Sequence, residues 1–506
     1  MINSMPRDSA GFASVPVLGV GITYSAAIEP LLESRPELFP VVEIEPQTTW
    51  IKTPGIKTPG APAQYRLKEE MLEHLLALPG RKLIHSVGTP VGGSVRPEPA
   101  QLALLQDVVR LFGSPWVSDH LSFNQTPEFA TGFFLPPRQT SDGVKTVTRS
   151  ILDLQEALPV PVAIETGVNY LKIRRDELPD GEFVLRVVQA ANCGLLLDLH
   201  NVFTNALNGR QSVDEFLDCI PLDRVWEVHL AGGMEMDGFW LDAHSGAIPD
   251  ALYAIAERVI PRLPNLGAII FEIFPSFVPE VGLDLVKEQM QRLHSLWALR
   301  SQPGEVRSVS PLHAVSSPVS EETVQPVVWE RALGALVTGQ RSDDPVGQEL
   351  RADPGVNIVR GLIEEFRASM IVGTLRLTSR LLLLALGPDA FRTILNDYWS
   401  KFPPLLYGSL EAAAFGEYLR ALDLKVPHLA KILEYEQAAL ATLTDDTPRI
   451  VRFDFEPLPL LRALAEGRLP DRSGEVGAYE IELTPDGPTP VAGVGFEAVR
   501  DAFPFH

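Results

Sequence analysis

Cysteine is nearly missing from this chain: Cys193 and Cys219 are the only two in 506 residues. Two thiols cannot build a disulfide framework or a thiolate metal cluster, which excludes iron–sulfur chemistry and suits a reducing cytoplasm. Basic residues are in deficit as well. Lys and Arg number 43 against 65 Asp and Glu, and the resulting charge of −22 works against a nucleic-acid partner. Long apolar runs are missing too. The most apolar stretch, Met370 to Leu386, is interrupted by Arg376 and Arg380 and is too short to span a bilayer. The opening MINSMPRDSAGFASVPVLGV lacks a basic segment followed by an apolar core, so neither a signal peptide nor a membrane partner is expected. No Gly-x-Gly-x-x-Gly turn follows the first apolar run, which counts against a dinucleotide domain.

What the chain does contain is an alternation. Short apolar runs at 17–24, 41–46, 82–88, 116–123, 160–167, 194–201, 225–232 and 267–274 read as strands. Helix patterns lie between them: Gln64–Leu78, Pro99–Phe112, Val144–Leu158, Asp176–Ala191, Val213–Ile220, Asp250–Arg262 and Leu283–Leu299, with 25–36 after the first strand. Continuous apolar strands alternating with helices imply a parallel sheet covered on both faces. Eight such units predict an α/β fold, a (β/α)8 TIM barrel over residues 1–300, with a doubly wound open sheet as the alternative. The tandem IKTPGIKTPG at 51–60 reads as an exposed loop. Residues 301–325 lose periodicity and gain Ser and Pro, which predicts a linker. Residues 326–506 form a second, smaller α+β domain, mainly helical. Its helices are expected at Trp329–Gly339, Pro354–Leu386, Gly387–Lys401, Ser409–Leu422 and Pro427–Thr444, and its strands at Arg449–Phe455 and Gly477–Thr484.

In such a barrel the carboxyl ends of the strands share one rim, where active sites lie. Read in order, those ends carry His85, His120, Glu165, Asp198 with Asn201 just beyond, His229 and Glu272. The loop after His229 adds Asp242 and His244, two apart and therefore facing one way if extended. A lone strand-end His is ordinarily a hydrogen-bonded structural residue, and a lone buried Glu can pair with an arginine. Burying this many ionisable groups together without a cation is costly, so the joint pattern predicts a metal centre. There are more ligands than one ion uses, and two or three bridged ions would take them all. Imidazole and carboxylate leave iron, manganese and zinc open. His200, next to Asn201 in the expected strand, should point away and support the site instead of ligating.

IHSVG at 84–88, SDHLSF at 118–123, IETGVNYL at 164–171, GLLLDLHNV at 194–202, EVHLAGG at 227–233, DAHSG at 242–246 and FEIFPS at 271–276 occur in this order. Together they resemble the multinuclear non-heme iron-dependent oxidative enzymes (MNIO), the family of the methanobactin-type peptide oxidase, over residues 17–298. The resemblance implies a TIM barrel holding two or three non-heme iron ions. It also implies dioxygen as co-substrate for oxidative modification of a ribosomally made precursor peptide, often at cysteine. Carried across by motif, His85, His120 and Glu165 hold one iron, with Glu165 bridging to a second completed by Asp198, His229 and Glu272. Asn201, Asp242 and His244 form the third. Glu165, Asp198 and His229 are the residues assigned to catalysis. The chain departs at strand two, where Glu45-Pro46-Gln47 replaces the Glu-Asn-Tyr of many relatives, at a position expected to face substrate. GPDAFRTILNDYWSKFPP at 387–404, with FGEYLRAL and VPHLAKILEYEQAAL, resembles the helical domain of the separate partner proteins that recruit peptide to these enzymes, here fused to the barrel. Two other function classes compete: a hydrolase or sugar isomerase with two or three zinc or manganese ions, and a noncatalytic peptide-binding scaffold.

Overall fold

The computed structural model describes residues 15–52, 65–301, 324–470, 474–485 and 487–490. Most of the predicted linker and all but the first two residues of the IKTPGIKTPG repeat lie outside these residues. Eight parallel strands close into a barrel in chain order: β1 Gly19–Thr23, β2 Val41–Ile44, β3 Arg81–Ser86, β4 Val117–His120, β5 Val162–Glu165, β6 Gly194–Asp198, β7 Val225–Ala231 and β8 Ala268–Glu272. β1 pairs with β8 as well as β2, which completes the closure. The expected α/β barrel is therefore present, and the open-sheet alternative is excluded by that pairing.

The barrel interior is layered. Val41, Leu83, Trp116, Ala163, Trp226, Ala268 and Ile270 plug its amino-terminal end. Above them along the same inward-facing positions come Glu43, His85, Glu165 and Glu272, each two residues further on. A register shift between β6 and β7 falls at Trp226. This bulge lets Trp226 join the plug while Glu227 and His229 still reach inward.

Helix Pro99–Phe112 begins and ends as read, with Pro99 at its first position and Gly113 left-handed (φ 66°) at its end. Strand β6 does not run to Asn201. It stops at Asp198, whose carboxylate accepts the amide of Asn201 (2.8 Å) and starts helix Leu199–Leu207. His200 and Asn201 thus sit in the first turn of a helix, not on a strand.

The remainder of the chain is mainly helical. Helix Pro326–Val337 and the first half of Pro354–Thr374 pack directly on barrel loops, with Trp329, Leu333, Val356 and Ile363 sharing a core with Phe123, Leu135, Tyr170 and Leu171. The single expected helix 354–386 is two helices, Pro354–Thr374 and Arg376–Leu386, meeting at a bend of 107°. Beyond them, helices Pro388–Lys401, Gly408–Ala421 and Leu429–Asp445 close a second core against an antiparallel sheet of Arg449–Phe455, Val476–Thr484 and Gly487–Pro490. No single helix among the described residues is long and apolar enough to cross a membrane.

Candidate metal centre

The strand ends converge on one buried pocket at the carboxyl rim. His120 and Glu165 are register partners on β4 and β5, and Asp198 and His229 are partners on β6 and β7. His85 Nδ1 bonds Ser118 Oγ (3.0 Å), leaving Nε2 to face Glu165 Oε2 at 3.3 Å. His120 Nδ1 lies 3.2 Å from the carbonyl of Ser86, which aims its Nε2 at the same Glu165 oxygen, 3.1 Å away. A backbone acceptor on one ring nitrogen leaves a lone pair on the other. The remaining Glu165 oxygen, Oε1, accepts Asn201 Nδ2 at 3.3 Å.

The other groups share members. Glu165, Asp198 and His229 each place a ligand atom within 4.8 Å of one another, and so do Asp198, His244 and Glu272. His229 Nδ1 lies 3.1 Å from Glu272 Oε2, and His244 Nε2 lies 3.5 Å from it. Asp242 Oδ1 stands 2.9 Å from both His200 Nδ1 and His244 Nε2, so His200 anchors Asp242. The segment carrying that pair is not extended: His244 adopts φ 45°, a left-handed conformation uncommon for a histidine. Its ring packs on Phe274 (4.6 Å between centroids), and that of His120 stacks on Phe134 (4.0 Å).

These contacts are close but badly satisfied. Glu165 Oε2, Asp198 Oδ2, His229 Nδ1 and His244 Nε2 are all buried without a hydrogen-bond partner. Distances near 3 Å with lone pairs pointing inward fit ligands converging on a cation and do not fit a finished hydrogen-bond network. Protonation behaviour agrees. Burial, followed by the charges of Glu165, Asp242 and Glu272, pushes Asp198 well above the ordinary carboxylate range. Burial, with His120 and His229 nearby, pushes His85 well below the usual imidazole value. Burial opposes charge on His120 and His244 too, but Glu165 lifts the first to about 9 and Asp242 the second to about 10. Without a cation the cluster sets like charges against one another, and a di- or multivalent ion would relieve that conflict.

The grouping differs in detail from the one carried across by motif. His85, His120 and Glu165 come together as expected. Asp198 is shared between two groups, and Glu272 joins His244 as well as His229. Among the described residues no hydrogen bond joins Asn201 to Asp242 or His244; its amide donates to Glu165 and to the carbonyl of Thr166. Gln47 spends its amide on Ser86 Oγ (3.0 Å) and the Val87 amide (3.1 Å), bracing the loop after His85. Glu45 lies within the field of Glu272, His120, His244 and Glu165, and burial raises its pKa first of all. Reading strand ends alone missed Glu43, which is fully buried and bonded to His229 (3.1 Å). The signal was available: in Val41-Val42-Glu43-Ile44-Glu45 both acids fall on one face of a strand.

Residues 58–282 match the model of a family described as RiPP precursor modification enzyme MbnB/TglH/ChrH. A UPF0276 protein of Streptomyces avermitilis is 31% identical over 241 residues, covering 45% of this chain and 48% of that protein. One from Chromobacterium violaceum is 33% identical over 180 residues, covering 36% and 65%. The chain therefore spans from about half to just under two thirds of the length of these relatives. Among solved structures, a xylose isomerase domain protein from Planctomyces limnophilus aligns with a TM-score of 0.34 at 16% identity, covering 56% of this chain and 96% of that one. Endonuclease IV from Thermus thermophilus aligns with a TM-score of 0.34 at 15% identity, covering 56% and 98%.

Proposed function

Because residues 58–282 match the model of the RiPP precursor modification enzyme family MbnB/TglH/ChrH, we propose that the protein oxidatively modifies a ribosomally synthesised precursor peptide, at cysteine. The observation that carries the reading is the set of partnerless ligand atoms on Glu165, Asp198, His229 and His244 inside overlapping groups. A nitrogen and oxygen donor set of this kind fits iron. Two or three non-heme iron ions, with dioxygen as co-substrate, would supply the oxidising chemistry.

The chain's own residues do the rest. His85, His120 and Glu165 would hold one ion, and Glu165 with Asp198 and His229 a second. Asp198, His244 and Glu272 would hold a third, with Asp242 beside them at 2.9 Å from His244. Asn201 donates to Glu165 Oε1 and thereby orients Oε2 toward His85 and His120. Phe134 and Phe274 press on two ligand histidines, limiting their freedom and keeping water from those ring faces. Helices 326–363 cap loops of the same rim, and among the described residues the strand Arg449–Phe455 pairs on one side only, with Val476–Thr484. A peptide bound by the fused domain would be held at high effective concentration near the mouth.

Co-expression with a small protein encoded beside this gene tests the proposal. Mass spectrometry is expected to show an oxygen-dependent mass change localised to a cysteine of that peptide. An unmodified peptide, with the metal centre loaded and oxygen present, would refute this substrate class. Replacing Asp242 and His244 together by alanine is expected to lower the metal content by one ion while the other positions stay filled. Metal analysis of purified protein reads this directly, and uniform loss from all positions would show that the third group is not separable.

A further inference from the structure

His229 is completely buried, and its two ring nitrogens live in different surroundings. Nε2 makes a hydrogen bond with Glu43 Oε1 at 3.1 Å. Nδ1 has no hydrogen-bond partner and faces the cluster, 3.1 Å from Glu272 Oε2. An imidazole whose Nε2–H donates to a carboxylate presents the Nδ1 lone pair, so the partner of one nitrogen fixes what the other can do. Glu43 is itself held. Thr23 Oγ1 lies 3.3 Å from its Oε2 and 3.4 Å from Glu272 Oε1, tying the support to the ligand layer. A second carboxylate stands nearby. Glu227 Oε1 is 3.6 Å from the same Nε2, but its Oε2 accepts Trp116 Nε1 at 3.0 Å and binds it to the barrel plug. β1 and β2, which carry none of the sequence-predicted ligands, thus brace the centre from below.

We propose that Glu43 is the positioning residue of the centre: it orients His229 with Nδ1 toward the ions, and the affinity of the ion held through His229 depends on it. The inference rests on the metal reading above. Glu43 can also be drawn as a ligand, since it forms a compact group with His229 and Glu272. The ring geometry argues otherwise, because Glu43 and Glu272 face opposite nitrogens of the same imidazole.

The test is equilibrium dialysis of full-length, metal-stripped protein against anaerobic Fe(II) and, in parallel, Zn(II). Wild type, Glu43→Gln, Glu43→Asp and Glu227→Gln are compared, with melting of the metal-free proteins as the folding control. Glu43→Gln is expected to reach the wild-type number of ions at saturation, with one of them bound about 10–100-fold more weakly. Glu43→Asp keeps the carboxyl group and is expected to recover part of that loss. Glu227→Gln also replaces a buried carboxyl by an amide and is expected to stay close to wild type. Unchanged affinity in Glu43→Gln overturns the proposal. So does the loss of one ion that excess metal cannot restore, since Glu43 would then be a ligand. If wild type takes Zn(II) but no Fe(II), the iron reading fails while the ratio between variant and wild type in Zn(II) still decides the role of Glu43. If it takes neither, both fall.

Discussion

Glu165→Gln is expected to remove metal from two positions at once and to take peptide modification to background. The side chain belongs to two groups that could hold a metal ion, one with His85 and His120 and one with Asp198 and His229. Losing a partner outside the ligand shell costs about 10–100-fold in affinity or activity, so a bridging ligand should cost more than ~100-fold. Glutamine keeps the oxygen that accepts Asn201 Nδ2 (3.3 Å), which confines the change to the ligand oxygen. Stability supplies a signature of opposite sign. Burial already pushes the Glu165 carboxyl above its ordinary value, so the metal-free variant should be at least as stable as metal-free wild type. Metal at about 100 times its dissociation constant should raise wild-type stability by about 2.7 kcal/mol and the variant by much less. Thermal unfolding with and without metal measures both. A variant that binds metal as wild type does would remove Glu165 from the centre.

Trp329→Ala is expected to destabilise the protein by about 3–5 kcal/mol and to loosen the rim. Trp329 is 1% exposed, and its Nε1 donates to the carbonyl of Pro136 at 3.0 Å. The guanidinium groups of Arg138 and Arg174 lie over its ring at 4.8 and 5.0 Å. It shares a core with Tyr170, whose hydroxyl accepts the amide of Asp242 at 3.0 Å. Damage at Trp329 therefore has a short route to the third ion group, and metal content should fall there first. Trp329→Phe restores apolar volume and gives up the Pro136 bond, an expected loss of about 1 kcal/mol. Thermal unfolding and limited proteolysis of the two variants measure the effect. Equal behaviour of the two variants would contradict the packing role.

The barrel was legible because its strands are buried on both faces and so appear as continuous apolar runs, and because Pro99 and Gly113 punctuate a helix at its ends. The residues that gather at the candidate site were legible because barrel geometry makes strand ends the places to look. What escaped depends on partners distant in sequence. The bend at Leu375 is set by Glu436, whose carboxylate accepts the amides of Leu377 (2.6 Å) and Thr378 (2.8 Å) from another helix. No local pattern in Met370 to Leu386 announces a cap that arrives 59 residues later. The hairpins Phe123–Gln125 with Ala130–Leu135, and Met234–Met236 with Phe239–Leu241, are too short to show a period. Asp198 hid the end of β6 by serving at once as strand end, helix cap and candidate ligand. Glu43 was overlooked because the apolar run of strand two was read on to Glu45 and Pro46, which left Glu43 inside the run and not at its end.

The iron-dependent peptide oxidation is tested most directly by the metal content of full-length protein isolated without oxygen, followed by oxygen uptake when the neighbouring peptide is added. Two or three iron ions per chain and peptide-dependent oxygen consumption are expected. Zinc or manganese in place of iron, with no oxygen consumed, would contradict that oxidation chemistry and make the centre that of a hydrolase or isomerase.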